Sequence, residues 1–226
     1  MEGRGVTAII FDLDGTLVDS APDIQAAANR MLKAERCKPL DLATITSFIG
    51  NGLPKLVERV MAARDLDPAR HGYLTARVSG FYATASSELT ALYPGVRAAL
   101  EHLHGEGHAL GLCTNKPEEP ARAILADFGL AHLFDAVIGG DTLEVKKPDA
   151  APLHAAAEAL GEARVIYVGD SEVDAATAKA AAVPFVLFTE GYRKSPITEI
   201  RHDVAFADFA NLPALIAGLV AGGAAA

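Results

Sequence analysis

The stretch that decides the fold is VTAIIFDLDGTLVDS, residues 6–20, in which an apolar run ends abruptly in two aspartates. Such a run is typical of a strand covered by helices on both faces. If strand geometry persists to Asp14, the side chains of Asp12 and Asp14 lie on the same face, and Gly15 allows a sharp turn. Two carboxylates about 5 Å apart repel by roughly 3 kcal/mol at an effective dielectric constant near 20. The stretch therefore predicts a cation, a shared proton or a chemical function.

Composition indicates a globular chain with an acidic surface. Of the 226 residues, 50% are hydrophobic and 22% are charged, and the formal net charge is −9. This balance argues against a nucleic acid or an anionic membrane as partner. No stretch approaches the roughly 18 apolar residues of a membrane span, and the first apolar run is too short for a secretory leader. The two cysteines, Cys37 and Cys113, favour a reducing compartment, so we expect a cytoplasmic protein. We expect it to be a monomer or a homodimer.

The segment from residue 20 to residue 91 has the pattern of consecutive helices. Apolar residues recur at helical spacing in about residues 20–33, 42–50, 53–64 and 68–85. Ser20 and Asp23 predict a capping box at the first of these helices. Because no convincing strand occurs here, we expect an all-helical insertion.

From residue 92 onward, predicted strands alternate with predicted helices. The strands are expected at residues 109–114, 136–140, 164–170 and 184–189, with a short one at 203–206. Alternation of this kind implies right-handed crossovers and a parallel sheet, which the N-terminal strand is expected to join. We predict an α/β fold with a doubly wound, mostly parallel, Rossmann-like core, residues 1–19 and 92–226. The inserted helical cap domain comprises residues 20–91.

The predicted strands deliver polar residues to one edge of the sheet. Ligands of open parallel sheets bind beyond the carboxyl ends of the strands, so the residues that follow each strand are informative. Together with the loop after residue 140, they are Asp12, Asp14, Thr114, Asn115, Lys116, Lys146, Lys147, Asp170 and Asp174. The pattern therefore predicts carboxylates, a hydroxyl and ammonium groups in a single site.

The four carboxylates of this edge require a compensating charge. Each close pair costs a few kcal/mol or raises a pKa, and a hard divalent cation relieves that cost. Mg²⁺ is the cation that binds one or two carboxylates together with a substrate phosphate. An EF-hand calcium loop is excluded, because Thr16 and Leu17 stand where it needs an acid and a glycine. Magnesium beside a carboxylate nucleophile, a small hydroxyl and a lysine is a phosphoryl-transfer arrangement.

Four short motifs occur in order along the chain. They are Asp12-Leu13-Asp14-Gly15-Thr16, Thr114-Asn115, Lys147-Pro148, and Gly169-Asp170-Ser171 with Asp174. In this order they resemble the motifs of the haloacid dehalogenase-like hydrolase superfamily, and the helical insertion resembles that of its helical-cap subclass. The resemblance extends from about residue 7 to about residue 192.

This resemblance implies a role for each motif residue. Asp12 is the implied nucleophile, which forms an aspartyl-phosphate. Asp14 is the implied general acid that protonates the leaving alkoxide and then the base that activates water, while Thr114 and Lys147 would hold the phosphoryl group. Dehalogenase relatives lack an acid at the position of Asp14, so its presence favours phosphate chemistry. The implied ligands of Mg²⁺ are the Asp12 carboxylate, the Asp14 backbone carbonyl and Asp170, with Asp174 as a further candidate.

Three shorter matches resemble the phosphoglycolate phosphatases within this superfamily. They are Gly50-Asn51-Gly52, Thr114-Asn115-Lys116-Pro117 and Lys146-Lys147-Pro148. By this resemblance, the candidate substrate-binding residues are Gly50, Asn51, Asn115 and Lys116. The residues alone leave other interpretations open: the Gly-Asn-Gly stretch could end a helix, Asp170 could cap the next helix, and Lys116 could face water.

We therefore expect a magnesium-dependent phosphomonoesterase for a small anionic metabolite, with 2-phosphoglycolate as the best single substrate. Alternatives on the same scaffold are a phosphatase for another small ester, a pyrophosphatase and a sugar-phosphate mutase. An alternative of another class is a non-catalytic module that binds a phosphorylated partner. Asp12 and Asp14 weigh against that module, because a pure binding site gains little from a nucleophile and an acid placed so close.

Overall fold

The core is a six-stranded sheet in which every neighbouring pair of strands is parallel. The computed structural model describes residues 7–84, 87–161 and 164–222. The strands of the described residues are β1 (Ala8–Phe11), β2 (Val18–Asp19), β3 (Ala91–Leu92), β4 (Ala109–Cys113), β5 (Ala136–Ile138), β6 (Val165–Gly169), β7 (Phe185–Phe188) and β8 (Val204–Phe206). The sheet has the order β5-β4-β1-β6-β7-β8, so the chain winds outward from β1 in both directions. The predicted doubly wound α/β core is confirmed.

Helices cover both faces of this sheet. The α-helices of the described residues are α1 (Ala21–Ala34), α2 (Leu42–Phe48), α3 (Leu53–Ala62), α4 (His71–Ala83), α5 (Val96–Gly105), α6 (Glu118–Asp127), α7 (Ala151–Leu160), α8 (Glu172–Ala181) and α9 (Leu212–Gly222). Ile9 and Phe11 belong to the core shared with α5, α6 and α9, whereas Ile10 belongs to the core shared with α7 and α8. Successive residues of β1 thus face opposite layers, which explains its apolar sequence. Across the described residues, we find no helix long and apolar enough to span a bilayer.

The helices α1 to α4 share a hydrophobic cluster that also includes Tyr192 from the loop after β7. Met31, Val57 and Leu74 are completely buried in it. The expectation that residues 20–91 contain no strand is wrong at one point, because β3 pairs antiparallel with β2 where the chain enters and leaves these helices. The last predicted helix ends at Ala83, and residues 85 and 86 lie outside the described residues. The division into a core of residues 1–19 and 92–226 and a cap of residues 20–91 stays a prediction.

The chain turns earlier after β1 than strand alternation suggested. The strand ends at Phe11, and the amides of residues 16, 17 and 18 all donate to the carbonyl oxygen of Leu13. Gly15 adopts a φ of +90°, a conformation that favours glycine. This turn, rather than a continued strand, brings Asp12 and Asp14 to the same cavity.

The capping box expected from Ser20 and Asp23 is not formed. The Ser20 hydroxyl donates to Asp14 Oδ1 at 2.6 Å instead. Asp23 is 3% exposed, and its carboxylate accepts hydrogen bonds from the Leu89 amide and from the amide and hydroxyl of Thr90. The side chain of Ser20 thus binds the turn after β1, and that of Asp23 binds the returning chain, so neither is left for a local cap.

We predict that Asp23→Ala lowers the free energy of unfolding by about 3 kcal/mol, because it leaves buried amides without an acceptor. Urea unfolding followed by circular dichroism measures the change. Asp135→Ala, at an exposed aspartate just before β5, is the control and should change the free energy of unfolding by no more than about 0.5 kcal/mol. Equal effects of the two substitutions would contradict the structural role of Asp23.

Candidate active site

Residues from five segments meet at the carboxyl edge of the sheet. Asp12, Thr114 and Asp170 directly follow the adjacent strands β1, β4 and β6. Lys147 comes from the loop between β5 and α7, and Asp174 from the first turn of α8. All five are buried. Parallel strands end at the same edge of a sheet, which is why sequence-distant residues become neighbours here.

Three of the carboxylates form a compact group. Asp12, Asp170 and Asp174 each contribute an oxygen, and the three oxygens lie within 4.8 Å of one another. Burial raises the pKa of Asp12 to about 6. Burial and the charge of Asp174 raise the pKa of Asp170 well above its usual range. The group is therefore short of positive charge and has the hard oxygen donors that a divalent cation binds.

Lys147 is the ammonium within this group. Its Nζ lies 3.0 Å from Asp12 Oδ1 and donates to Asp174 Oδ1 at 2.7 Å and to the Tyr167 hydroxyl at 2.8 Å. Burial opposes its charge, but the carboxylates of Asp12 and Asp174 outweigh burial and raise the pKa of Lys147. The side chain thus stays charged and is fixed beside the proposed nucleophile.

Asp174 is already fully hydrogen-bonded by protein groups. Its Oδ1 accepts from Lys147 and Tyr167, and its Oδ2 accepts from the amide and hydroxyl of Ser171. Burial alone would raise the pKa of Asp174, but Lys147 and these hydrogen bonds lower it. A cation would have to displace one of these donors. The geometry favours a role in positioning Lys147, and direct metal binding by Asp174 stays a prediction.

Asp170 is held from two sides. Its Oδ1 accepts from the Thr16 hydroxyl at 2.8 Å, and its Oδ2 accepts from the Tyr192 amide at 2.6 Å. It does not cap α8, since the N-cap residue of that helix is Ser171. The carboxylate is therefore oriented next to Asp12 by the turn after β1 and the loop after β7.

Asp14 is not part of the compact carboxylate group and has its own partners. Its carboxylate accepts from the Ser20 hydroxyl at 2.6 Å and from Lys116 Nζ at 3.1 Å. Lys116 is buried and also donates to the Tyr82 hydroxyl at 2.7 Å, so it does not face water. Burial opposes its charge, but Asp14 raises the pKa of Lys116 above its usual value. The proposed acid is thus held by a buried lysine, which in turn contacts Tyr82 of the cap.

Thr114 and Asn115 link the site to the cap. The Thr114 hydroxyl accepts from the Lys116 amide at 3.3 Å, and Thr114 lines a cavity together with Asp12. Asn115 Nδ2 donates to the Lys147 carbonyl at 3.1 Å and to the Gly50 carbonyl at 3.0 Å. Asn115 therefore ties the loop of Lys147 to the cap segment that the sequence singled out.

Three consecutive carbonyls of this cap segment accept from core side chains. Lys194 Nζ donates to the carbonyl of Ile49, Asn115 to that of Gly50, and Lys146 Nζ to that of Asn51. The Asn51 side chain accepts from Arg59 at 3.0 Å, within the cap. Asn51 is thus placed to shape the segment through its backbone, and its contact with substrate stays a prediction, as does that of Gly50.

A cavity that is partly open to solvent lies between the cap and the sheet edge. Asp12, Asp14 and Thr114 line its floor, together with Asn115 and Lys116. Its cap side consists mainly of apolar residues, Ile24, Ile49, Leu53, Leu56, Tyr82 and Ala83. The cavity therefore has a polar reactive end and an apolar roof.

Some residues that contact these groups were not predicted from the sequence to be part of the site. Tyr167 lies inside strand β6 and contacts Lys147, Tyr82 contacts Lys116, and Ser20 contacts Asp14. A hydroxyl within an apolar strand was an available signal for Tyr167. Ser20 resembled a helix cap, and Tyr82 resembled an ordinary residue of an apolar helix face.

Comparisons with known proteins identify the family of this chain. The family model of the haloacid dehalogenase-like hydrolases matches residues 9–188. A phosphoglycolate phosphatase of Cereibacter sphaeroides ATCC 17025 is 54% identical over 94% of this chain and 99% of its own length, and one of Rhodobacter capsulatus is 43% identical over 93% and 97%. The crystal structure of a predicted phosphoglycolate phosphatase from Haemophilus somnus 129PT superposes with a TM-score of 0.88 at 32% identity, covering 96% of this chain and 100% of that one. The chain belongs to the haloacid dehalogenase-like hydrolases.

Proposed function

We propose that this protein is a magnesium-dependent phosphatase that hydrolyses 2-phosphoglycolate through a phosphorylated Asp12. The observation that carries the proposal is the setting of Asp12, which lies 3.0 Å from Lys147 Nζ and lines the same cavity as Asp14 and Thr114. The substrate is suggested by the relatives named phosphoglycolate phosphatase, which match nearly the whole chain.

In the first step, an oxygen of Asp12 attacks phosphorus and the bond between phosphorus and the ester oxygen breaks. Asp14 gives its proton to the departing oxygen, so this oxygen of glycolate leaves as a neutral hydroxyl group rather than as an alkoxide. The Lys147 ammonium and the Thr114 hydroxyl offer hydrogen bonds to the oxygens of the transferring phosphoryl group. Those donors act where negative charge is concentrated in the transition state.

In the second step, Asp14 takes a proton from water, and the water oxygen attacks phosphorus. The bond between phosphorus and Asp12 breaks, which regenerates the carboxylate and releases inorganic phosphate. The same aspartate thus acts as acid and then as base. Ser20 and Lys116 hold its carboxyl group, with contacts of 2.6 Å and 3.1 Å in the structure.

The cap would exclude bulk water during the first transfer. The hydrogen bonds from Lys194, Asn115 and Lys146 to three consecutive cap carbonyls hold the segment of residues 49–51 against the core. Excluding water strengthens the electrostatic contacts in the site and protects the intermediate from premature hydrolysis. Release of glycolate then requires these contacts to open.

Mg²⁺ fits the donor set beside the nucleophile. The residues that would hold it are Asp12 and Asp170, which belong to a group of three buried carboxylates with one ammonium, Lys147, and the Asp14 backbone carbonyl is implied by the family resemblance. When bound, it supplies positive charge that offsets the phosphoryl oxygens.

Gly191 supports this arrangement by its lack of a side chain. A Cβ at Gly191 would overlap with the carbonyl oxygen of Gly15 and with the side chain of Asp170. The loop after β7 therefore passes so close to the proposed metal ligand that only glycine fits. Gly218 in α9 is a useful contrast, because a Cβ there would meet nothing within 4 Å.

We also propose a cytoplasmic location, which the two free cysteines, Cys37 and Cys113, support. Burial raises the pKa of the Cys113 thiol to about 12, so this side chain stays protonated and behaves as an apolar residue of the core.

Phosphate release from 2-phosphoglycolate, p-nitrophenyl phosphate, pyrophosphate and glucose 1-phosphate, with and without Mg²⁺, tests the proposed function. We expect magnesium-dependent hydrolysis with 2-phosphoglycolate as the preferred substrate. Asp12→Asn should lower turnover by at least about 10⁴-fold, because an amide cannot act as the nucleophile. Circular dichroism controls for folding. Preference for another ester would contradict the assignment of 2-phosphoglycolate as the substrate. Activity retained in Asp12→Asn would contradict the assignment of Asp12 as the nucleophile.

Mg²⁺ should stabilise the protein more at about pH 7.5 than at about pH 5. The folded protein binds protons at Asp12 and Asp170 more tightly than the unfolded chain does, so without metal stability falls as the pH rises from about 4 through about 6. A cation bound to the ionised carboxylates removes this loss. Thermal unfolding at both pH values, with and without MgCl₂, measures the effect. Equal stabilisation at both would show that these carboxylates do not bind the ion.

Gly191→Ala should weaken Mg²⁺ binding by at least about 10-fold, because the added methyl group displaces Asp170. Calorimetric titration with MgCl₂ gives the affinity. Gly218→Ala is the matched control: its added Cβ meets no neighbour, so the affinity should equal that of the wild-type protein. Unchanged binding in a folded Gly191→Ala protein would remove Asp170 from the proposed ligands.

A further inference from the structure

The part of the cavity that receives the leaving group contains a single cation among its described lining residues. That cation is Lys116, and the surrounding wall is mostly apolar, formed by Ile24, Ile49, Leu53 and Leu56. Lys116 holds Asp14, and it is also the one cationic group of this described lining that can receive a negatively charged part of the leaving group.

Lys116 retains hydrogen-bonding capacity toward the cavity. An ammonium has three hydrogens, and Lys116 Nζ contacts three described acceptor atoms, Asp14 Oδ1 at 3.1 Å, Asp14 Oδ2 at 3.3 Å and the Tyr82 hydroxyl at 2.7 Å. The two longer contacts go to one carboxylate and can be made by a single shared N–H. Nζ also lies 4.4 Å from the centre of the Tyr82 ring, so the ammonium is held over that ring. One N–H remains available for a ligand in the cavity.

Tyr82 supplies a second donor next to it. Its hydroxyl oxygen accepts from Lys116 at 2.7 Å, and its own hydrogen has no acceptor among the hydrogen bonds of the described residues. Burial raises the pKa of Tyr82, so the hydroxyl keeps this hydrogen. An N–H and an O–H side by side match the two oxygens of a carboxylate.

We propose that Lys116 and Tyr82 together bind the carboxylate of the leaving group and thereby select phosphate esters of short hydroxy acids. This inference rests on the proposed function and identifies the residues that determine its specificity. Because Lys116 contacts the proposed acid Asp14 directly, the carboxylate must lie within a few bonds of the ester oxygen, as it does in a 2-hydroxy acid. A longer leaving group would meet the apolar roof.

The test compares 2-phosphoglycolate with 2-hydroxyethyl phosphate, an ester of similar size in which an alcohol group replaces the carboxylate. The readout is the ratio of the two kcat/KM values, since any general damage to Asp14 lowers both. We expect this ratio to fall by about 100-fold in Lys116→Met and by about 10-fold in Tyr82→Phe. Lys179→Met, at an exposed lysine of α8, should keep the wild-type ratio.

The two proposals fail in different ways. Equal kcat/KM values of the wild-type protein for 2-hydroxyethyl phosphate and 2-phosphoglycolate would contradict the proposed function itself. A wild-type preference for 2-phosphoglycolate that persists in Tyr82→Phe and in Lys116→Met would overturn only the present inference. Tyr82→Phe keeps the ring over the ammonium, so it remains informative if Lys116→Met does not fold.

Discussion

The contact of Lys147 with Asp12 and Asp174 is the interaction on which the site depends. It places one buried ammonium among three buried carboxylates, while a second buried lysine, Lys116, contacts Asp14 nearby. A buried group with this excess of negative charge is costly, and a dication restores neutrality. The lysine therefore fixes the nucleophile but does not offset all of the negative charge. The remaining negative charge favours a divalent cation, which in turn favours a phosphoryl group.

Topology explains why so much of this site could be predicted from the sequence. Parallel strands deliver whatever follows them to one edge, so Asp12, Thr114 and Asp170 become neighbours once the alternation of strands and helices is recognised. Tyr82 and Lys116 show the limit of that reasoning. Their contact depends on how the helical segment sits over the sheet, and a tyrosine on an apolar helix face carries no local signal of such a partner.

Two copies of the same local pattern show where sequence reasoning about helix caps fails. Ser171 and Asp174 are three residues apart and are hydrogen-bonded to each other at the start of α8. Ser20 and Asp23 have the same spacing at α1, yet each binds a residue elsewhere in the chain. Propensity sets only a weak preference at a helix end, and the buried amides near residue 90 are stronger competitors for Asp23.

The cap and the acid are coupled by their shared contacts. Ser20, at the start of the first cap helix, donates to Asp14, and Tyr82, at the end of the fourth, binds the lysine that holds Asp14. A shift of the cap would therefore alter the partners of the acid as well as admit water. The helices that enclose the cavity also orient Asp14, the proposed proton donor. The same packing of these helices therefore excludes water from the cavity and positions the acid.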